Sequence, residues 1–361
     1  MLIQKFTTLF KDVTRQGTKI PKEEYLTHGK NIIIDQGQDI IAGYTNCEDG
    51  IFKKIPAIVF GDHTRIIKYV DTPFFLGADG VKVLKCTDKN ANYRYLYYAL
   101  KNAHIPNTGY NRHFKWLKEI TINYSDKNRQ NDIVNILDKL EYIIKMKSQE
   151  LDKFDELIKA RFVEMFGDPQ DSKSKWKKST IEKCCTLKSG KTLPRNIENE
   201  GGNIPYVKVK DMNSLENTTY ITTSTRFVSD KTANKSIFPV GTVIFPKRGG
   251  AIGTNKKRLT KVPICADLNI MGVIPDNTRI SSYYLFEYFN MVDLNTLNNG
   301  SSVPQINNKD INPLNINIPP LSLQNEFANF VHQVDKSKVA VQKSLDETQK
   351  LFDSLMQEYF G

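Results

Sequence analysis

The sequence predicts an α+β protein made by tandem duplication: two similar mixed domains separated by two long helices that form an antiparallel intramolecular coiled coil. Three observations carry the prediction. The halves of the 361-residue chain repeat one another, two stretches space their apolar residues in heptads, and the remainder alternates short β-branched runs with turns.

The repeat is clearest from Gln130 to Gly167, where an offset of 194 gives nine identities in 38 gapless positions, among them Gln130-Asn131 on Gln324-Asn325 and Phe166-Gly167 on Phe360-Gly361. Upstream the offset falls to 189 at Tyr95-Leu96 on Tyr284-Leu285, 188 at Ala78-Asp79 on Ala266-Asp267, 185 at Phe60 on Phe245, and 173 at Gly17 and Pro21 on Gly190 and Pro194. Drift in one direction is what duplication followed by loop insertion in the second copy leaves.

The first domain spans 1–125, with strand-like runs at Asn31–Ile34, Ala57–Phe60 and Val81–Leu84 and an aromatic helix-like segment at Tyr93–Leu100. A helix follows over 126–167. Its seam reads Ile133, Leu137, Leu140, Ile144, Lys147, Leu151, Phe154 and Ile158, in alternating three- and four-residue steps with one polar member. It begins after Asn123–Asp126 and stops at Gly167-Asp168-Pro169. The second domain, 168–320, repeats the pattern with Pro205–Val209, Thr242–Phe245 and Tyr283–Asn290, and its helix, 321–361, carries the matching seam from Phe327 to Phe352. A lone seam of this kind would stay exposed, so the two helices are expected to pair. The long intervening domain returns the chain for an antiparallel match.

Composition narrows the function. No run approaches the roughly 18 apolar residues of a membrane span, and the N-terminus lacks a secretory pattern, so a cytoplasmic protein is expected. Five cysteines without a Cys-x-x-Cys read as reduced, mostly buried thiols. The formal charge of +11 is unevenly placed: residues 1–125 hold 18 basic and 12 acidic side chains and 167–320 hold 21 and 13, whereas the two helices are slightly acidic. Two basic domains on a neutral rod suit two contacts with one polyanion, and duplex DNA is the obvious candidate.

The residues proposed for that contact are, in the first domain, Lys19, the varied donors and acceptors of Asp62, His63 and Arg65, and Arg112; in the second, Lys247, Arg248, Lys256, Lys257 and Arg258 around Gly249-Gly250. Glycines let a backbone approach phosphates, and arginine can bond guanine bidentately. The competing readings are a solvated loop for the basic cluster, a turn in which His63 bonds Asp62, and a core position for Trp116, beside Arg112.

No catalytic pattern fits the sequence. Ser189-Gly190-Lys191-Thr192 resembles the end of a phosphate-binding loop, but position 185 is Cys where that loop needs Gly. Pro275-Asp276 lacks a following Asp/Glu-x-Lys, Pro319-Pro320 lacks the flanks of an amino-methyltransferase tetrapeptide, and the five histidines show no metal-ligand spacing. A non-catalytic reader is expected; a stand-alone methyltransferase or nuclease, or a coiled-coil scaffold without DNA contact, are the alternatives.

This arrangement resembles the specificity subunit of Type I restriction-modification systems. The resemblance spans essentially the whole chain. It rests on Gly17–Pro21, Ile34–Gly37, Ile41–Tyr44, Phe60–Arg65, the segment 77–80, Ser189–Pro194, Gln324–Glu326 and the two Phe-Gly ends. It implies two target-recognition domains, each reading half of a bipartite site, and paired helices that space them. It also implies docking of two modification subunits and of restriction subunits; S-adenosylmethionine, ATP and Mg belong to those partners, and no cofactor belongs to this chain.

Overall fold

The computed structural model describes residues 2–77, 80–169, 174–234, 236–297 and 303–361. In the first half these are β1 (Leu2–Lys5), α1 (Phe6–Leu9), β2 (Phe10–Asp12), β3 (Asn31–Ile34), β4 (Gly43–Thr45), β5 (Ala57–Gly61), β6 (Ile67–Val70), β7 (Phe74–Leu76), β8 (Val81–Cys86), α2 (Tyr93–Asn102), α3 (Phe114–Leu117), β9 (Thr121–Tyr124) and α4 (Lys127–Phe166). The second half has β10 (Lys177–Thr180), α5 (Ile181–Cys184), β11 (Cys185–Ser189), β12 (Ile204–Val207), β13 (Tyr220–Ile221), β14 (Phe227–Val228), α6 (Asp230–Ala233), β15 (Val243–Pro246), β16 (Arg258–Thr260), β17 (Cys265–Ala266), β18 (Ile270–Pro275), α7 (Ser282–Met291), α8 (Asn308–Ile311), β19 (Asn315–Ile318) and α9 (Leu321–Phe360).

The duplication is visible strand by strand. The first domain has one sheet ordered β2-β8-β5-β6 and another ordered β4-β3-β7; the second has β11-β18-β15-β16 with β13 added at the edge, and β14-β12-β17. In each small sheet the same pair is parallel, β3 with β7 and β12 with β17. A terminal pair closes each domain, β1 on β9 and β10 on β19. Of the aligned repeat pairs, Ala78-Asp79 lies outside the described residues.

Packing explains the local elements. All five residues of β5 and all four of β15 are buried, so both strands read as unbroken apolar runs rather than alternating ones. Asn92 caps α2 by accepting the N–H groups of Arg94 and Tyr95, and Ser281 caps α7 through that of Tyr284. The phosphate-loop look of Ser189–Thr192 has a packing cause: a Cβ on Gly190 would collide with the carbonyl oxygens of Ala266 and Asp267.

The chain forms two compact units, one of residues 1–149 with 342–361, the other of residues 150–341. Each long helix is therefore divided between them. In the first unit Ile133, Val134 and Leu137 of α4 share a core with Phe352, Met356 and Tyr359 of α9. In the second, Ile158, Phe162 and Phe166 share one with Phe327, Val331 and Val334. Rising numbers on α4 meet falling numbers on α9, so the helices form the antiparallel intramolecular coiled coil that the seams predict. Every seam position expected on either helix is buried or half-buried, Lys147 included. Asp126 accepts the N–H of Arg129 at 3.0 Å to open α4, and Gly167, at φ 79°, closes it in the left-handed region.

Two details differ from expectation. Only Cys184 and Cys265 of the five free cysteines are buried; Cys47 is exposed, because it follows an edge strand rather than occupying a core run. Trp116 is half-buried at the margin of the first core. No helix among the described residues is long and apolar enough to cross a membrane.

Candidate nucleic-acid interface

In the first unit the tight turn between β5 and β6 carries Asp62, His63 and Arg65, and Arg65 itself adopts φ 63°. Asp62 is buried and works as a clamp rather than a contact. Its carbonyl accepts the His113 N–H at 2.7 Å and faces His113 Nδ1 at 3.0 Å, while its Oδ1 accepts the Phe114 N–H at 2.7 Å and so satisfies a free donor at the start of α3. His113, with no exposed surface, reaches Thr108 Oγ1 through Nε2 at 3.3 Å. Arg65 donates to the carbonyl of Ile105 at 3.2 Å. These bonds fasten the 105–113 loop to the turn.

A third segment joins them. Gln36 accepts the His63 N–H on its Oε1 at 3.1 Å and the Thr64 hydroxyl on its carbonyl at 2.6 Å. The His63 ring is half-buried, stacked against Tyr110 at 4.7 Å with 10° between planes and its Nδ1 shielded from solvent; what faces outward is Tyr110, 87% exposed, and the exposed Arg112. Stacked rings beside a cation suit bases and phosphates alike. Lys19 is exposed but lines a separate cleft with Asp12, Thr14, Arg15 and Lys82.

In the second unit the basic cluster is redistributed. Lys247 is buried, donates to Ser189 Oγ at 2.7 Å, and has its pKa lowered by burial and by neighbouring Arg248. Lys257, 4% exposed, donates to Asn255 Oδ1 at 2.7 Å and to the carbonyl of Val292 at 2.6 Å; burial pushes its pKa down to about 8. Arg258 spends its guanidinium on the carbonyls of Asn217 at 2.6 Å, Lys257 at 2.8 Å and Met212 at 3.0 Å. Of the five cations expected to face a partner, three point inward instead: Lys247 to the Ser189 hydroxyl, and Lys257 and Arg258 to backbone carbonyls of Val292, Asn217 and Met212.

Arg248 and Lys256 remain half-exposed. Lys256 bonds Asn213 Oδ1. Arg248 sits in an isolated bridge with Gln305, and the flanking bonds from Gly249 N–H to the Pro304 carbonyl at 2.8 Å and from Ile306 N–H to the Lys247 carbonyl at 3.0 Å bring residues 304–306 against it. The Gly249–Thr254 turn follows at the surface.

Sequence reasoning overlooked Gln36, Tyr110 and Gln305. Tyr110 carried a signal, an aromatic residue inside the polar, turn-forming run Asn107–Arg112. Gln36 stands in the Ile34–Gly37 run that carries the family resemblance but has no role legible there, and Gln305 carried no signal, since their importance lies in contacts distant in sequence. Among the described residues no group of three His, Cys, Asp or Glu could hold a metal ion.

Comparison with known proteins gives a consistent picture. A family model described as Type I restriction modification DNA specificity domain matches twice, over residues 8–153 and 173–348. The chain is 24% identical over 330 residues to the Type I restriction enzyme EcoR124I/EcoR124II specificity subunit of Escherichia coli, covering 84% of this chain and 79% of that one. Its fold is similar to the S subunit of a Type I restriction-modification system from M. genitalium, with TM-score 0.63 at 19% identity over 100% of this chain and 96% of the other. It is also similar, at TM-score 0.56 and 14% identity over 99% and 97%, to a chain from a type I R-M system studied for complex assembly and conformational transition.

Proposed function

The chain belongs to the Type I restriction modification DNA specificity domain family, and on that premise we propose that it reads a bipartite duplex-DNA site, one half with each domain, and docks the subunits that modify and cut. The reading is supported above all by the duplication. Two domains of one topology each carry net positive charge, and each is fastened to its own long helix by the same glutamine, Gln130 or Gln324. Two copies of one reader on one chain suit two half-sites separated by unread bases.

The surfaces proposed for DNA are His63, Tyr110, Arg65 and Arg112, with Lys19 to the side, in the first domain, and Arg248 with Lys256 and Gln305 in the second. On the helices, apolar side chains stay exposed away from the seam: Ile136, Ile143 and Met146 on α4 and Leu351 on α9 in the first unit, and Leu157 and Val163 on α4 and Val339 on α9 in the second. We assign these as docking points for two modification subunits, with restriction subunits joining the assembly in the cytoplasm. S-adenosylmethionine, ATP and Mg enter with those partners, and this chain contributes recognition rather than chemistry.

Affinity for DNA carrying the site, measured with the modification subunits present, should fall with salt at a log-log slope of about −0.9 per phosphate neutralised. A flat salt response would overturn the reading. So would methyl transfer from labelled S-adenosylmethionine by the purified chain alone.

A further inference from the structure

The two copies treat one charged corner of the fold differently. In the first unit Arg94, on α2, donates to Asp138 Oδ1 at 2.5 Å, to Glu141 Oε2 at 2.9 Å and to the Tyr98 hydroxyl at 2.9 Å. Its guanidinium carbon lies 5.1 Å from the centre of the Tyr69 ring and 5.2 Å from that of Tyr97. Lys101, a turn or two along α2, adds a second cation 3.2 Å from Glu141 Oε1. Two carboxylates on α4 are thus matched by two cations on α2.

The offset of 189 that aligns α2 with α7, and of 194 that aligns the long helices, carries this set into the second unit. Arg94 falls on Tyr283, Tyr98 on Glu287, Lys101 on Asn290, Asp138 on His332 and Glu141 on Asp335. Both cations are gone, yet two carboxylates remain. Tyr283 meets His332 instead, hydroxyl to Nδ1 at 3.4 Å, and Asp335 accepts the Tyr220 hydroxyl. A cavity of about 270 Å³ lies here, lined by Glu287, Asp335, Asn290, Tyr220, Tyr283 and Phe286 among others.

Glu287 is 7% exposed and has one hydrogen bond among the described residues, from Asn290 Nδ2 at 3.1 Å. Burial raises its pKa; the Asn290 bond, Lys159 and Lys338 offset part of that rise, and Asp155 adds to it. The neighbouring cations of the chain are engaged elsewhere. Lys338 pairs with Asp155 at 2.5 Å, Lys261 bonds the Tyr283 hydroxyl, and Lys257 and Arg258 donate to backbone carbonyls. A buried carboxylate among aromatic rings stabilises a guanidinium or ammonium group through charge-assisted hydrogen bonds and ring faces together.

We propose that this cavity binds a small organic cation, a guanidinium or alkylammonium compound, with Glu287 and Asp335 accepting its N–H groups and Tyr220, Tyr283 and Phe286 as the surrounding rings. The site goes beyond DNA reading. Its ligand supplies to the second copy the charge that Arg94 supplies to the first.

Agmatine, which carries a guanidinium and an ammonium group, is the probe, and uncharged butylurea is the control. Each is titrated calorimetrically, at one ionic strength, into the full chain and into the chain assembled with its modification subunits. Agmatine should bind both preparations and butylurea neither. Glu287→Gln should weaken agmatine on the order of tenfold, the scale of one charge-assisted hydrogen bond, without lowering the unfolding midpoint. Tyr283→Arg lets the chain supply the missing cation itself and should abolish agmatine binding. Agmatine binding no tighter than butylurea would overturn the proposal, as would Glu287→Gln or a folded Tyr283→Arg binding agmatine within twofold of the parent. Binding to the chain alone but not to the assembly would overturn it in favour of a partner side chain filling the cavity. Should Tyr283→Arg fail to fold, Glu287→Gln, which keeps the shape of the side chain, decides alone.

Discussion

Gln130 accepts the backbone N–H of Asn92 on its side-chain oxygen at 2.9 Å while its amide donates to the carbonyl of Ser125 at 2.8 Å. One buried side chain thus ties the start of α2 to the start of α4. In the second copy Gln324 accepts the N–H of Ser281 at 2.7 Å and donates to the carbonyl of Pro319 at 2.8 Å. Both glutamines are buried, and Gln324 also donates to the carbonyl of Arg279 at 3.1 Å, so alanine would strip this partner from two backbone groups at Gln130 and from three at Gln324. Gln130→Ala or Gln324→Ala should each destabilise the protein by about 2 kcal/mol, seen as a lower denaturation midpoint in urea.

Arg258 and Arg248 should separate cleanly. Removing the Arg258 guanidinium strips donors from three carbonyls, and Arg258→Ala should cost about 2–3 kcal/mol of stability. Arg248→Ala should leave the unfolding midpoint within a degree or so and weaken DNA binding, read by calorimetric unfolding beside an affinity measurement. The reverse pattern would show that the loop's inner and outer faces are misassigned.

A pH prediction follows from Lys257 and Glu287, which line one cavity of about 270 Å³ in the second unit. Burial lowers the Lys257 pKa to about 8, so in the folded state the ammonium form is disfavoured relative to the unfolded chain. The unfolded state then holds more protons between about pH 8 and the ordinary lysine value of 10.5, and stability contributed by this residue rises with pH through that window. Burial raises the Glu287 pKa, with the opposite sign: its ionised form opposes folding at neutral pH, and the penalty fades in acid. Glu287→Gln should raise the unfolding midpoint at pH 7 and lose that advantage toward pH 4, a comparison that thermal scans at the two pH values would settle.

Lys147 occupies a seam position and is half-buried. Lys147→Leu should stabilise the helix pair by about 1 kcal/mol through added apolar burial. The DNA sequence methylated by the assembly should be unchanged. A changed target, found by mapping methylated sites, would mean that the seam takes part in reading.

The sequence by itself determined the repeat, the α+β class, both long helices and the antiparallel seam. These depend on spacing along the chain, and a heptad or a duplicated motif is complete before any folding occurs. Even the Phe-Gly ends are explained once folded: Phe360 packs on Tyr95 at 5.1 Å and Phe166 on Tyr284 at 4.8 Å, each repeat's end on the other repeat's tyrosine. Only the tertiary structure decided which polar residues face outward. Lys247, Lys257 and Arg258 were indistinguishable in sequence from free cations. Their direction depends on acceptors supplied by residues up to 58 positions away, the Ser189 hydroxyl for Lys247 and, 46 positions away, the Met212 carbonyl for Arg258. Asp62 likewise became a clamp because His113, 51 residues on, closes against its carbonyl. Charge is written in the chain, but where a long side chain finds its cheapest partner is settled by which backbone groups the fold leaves unsatisfied.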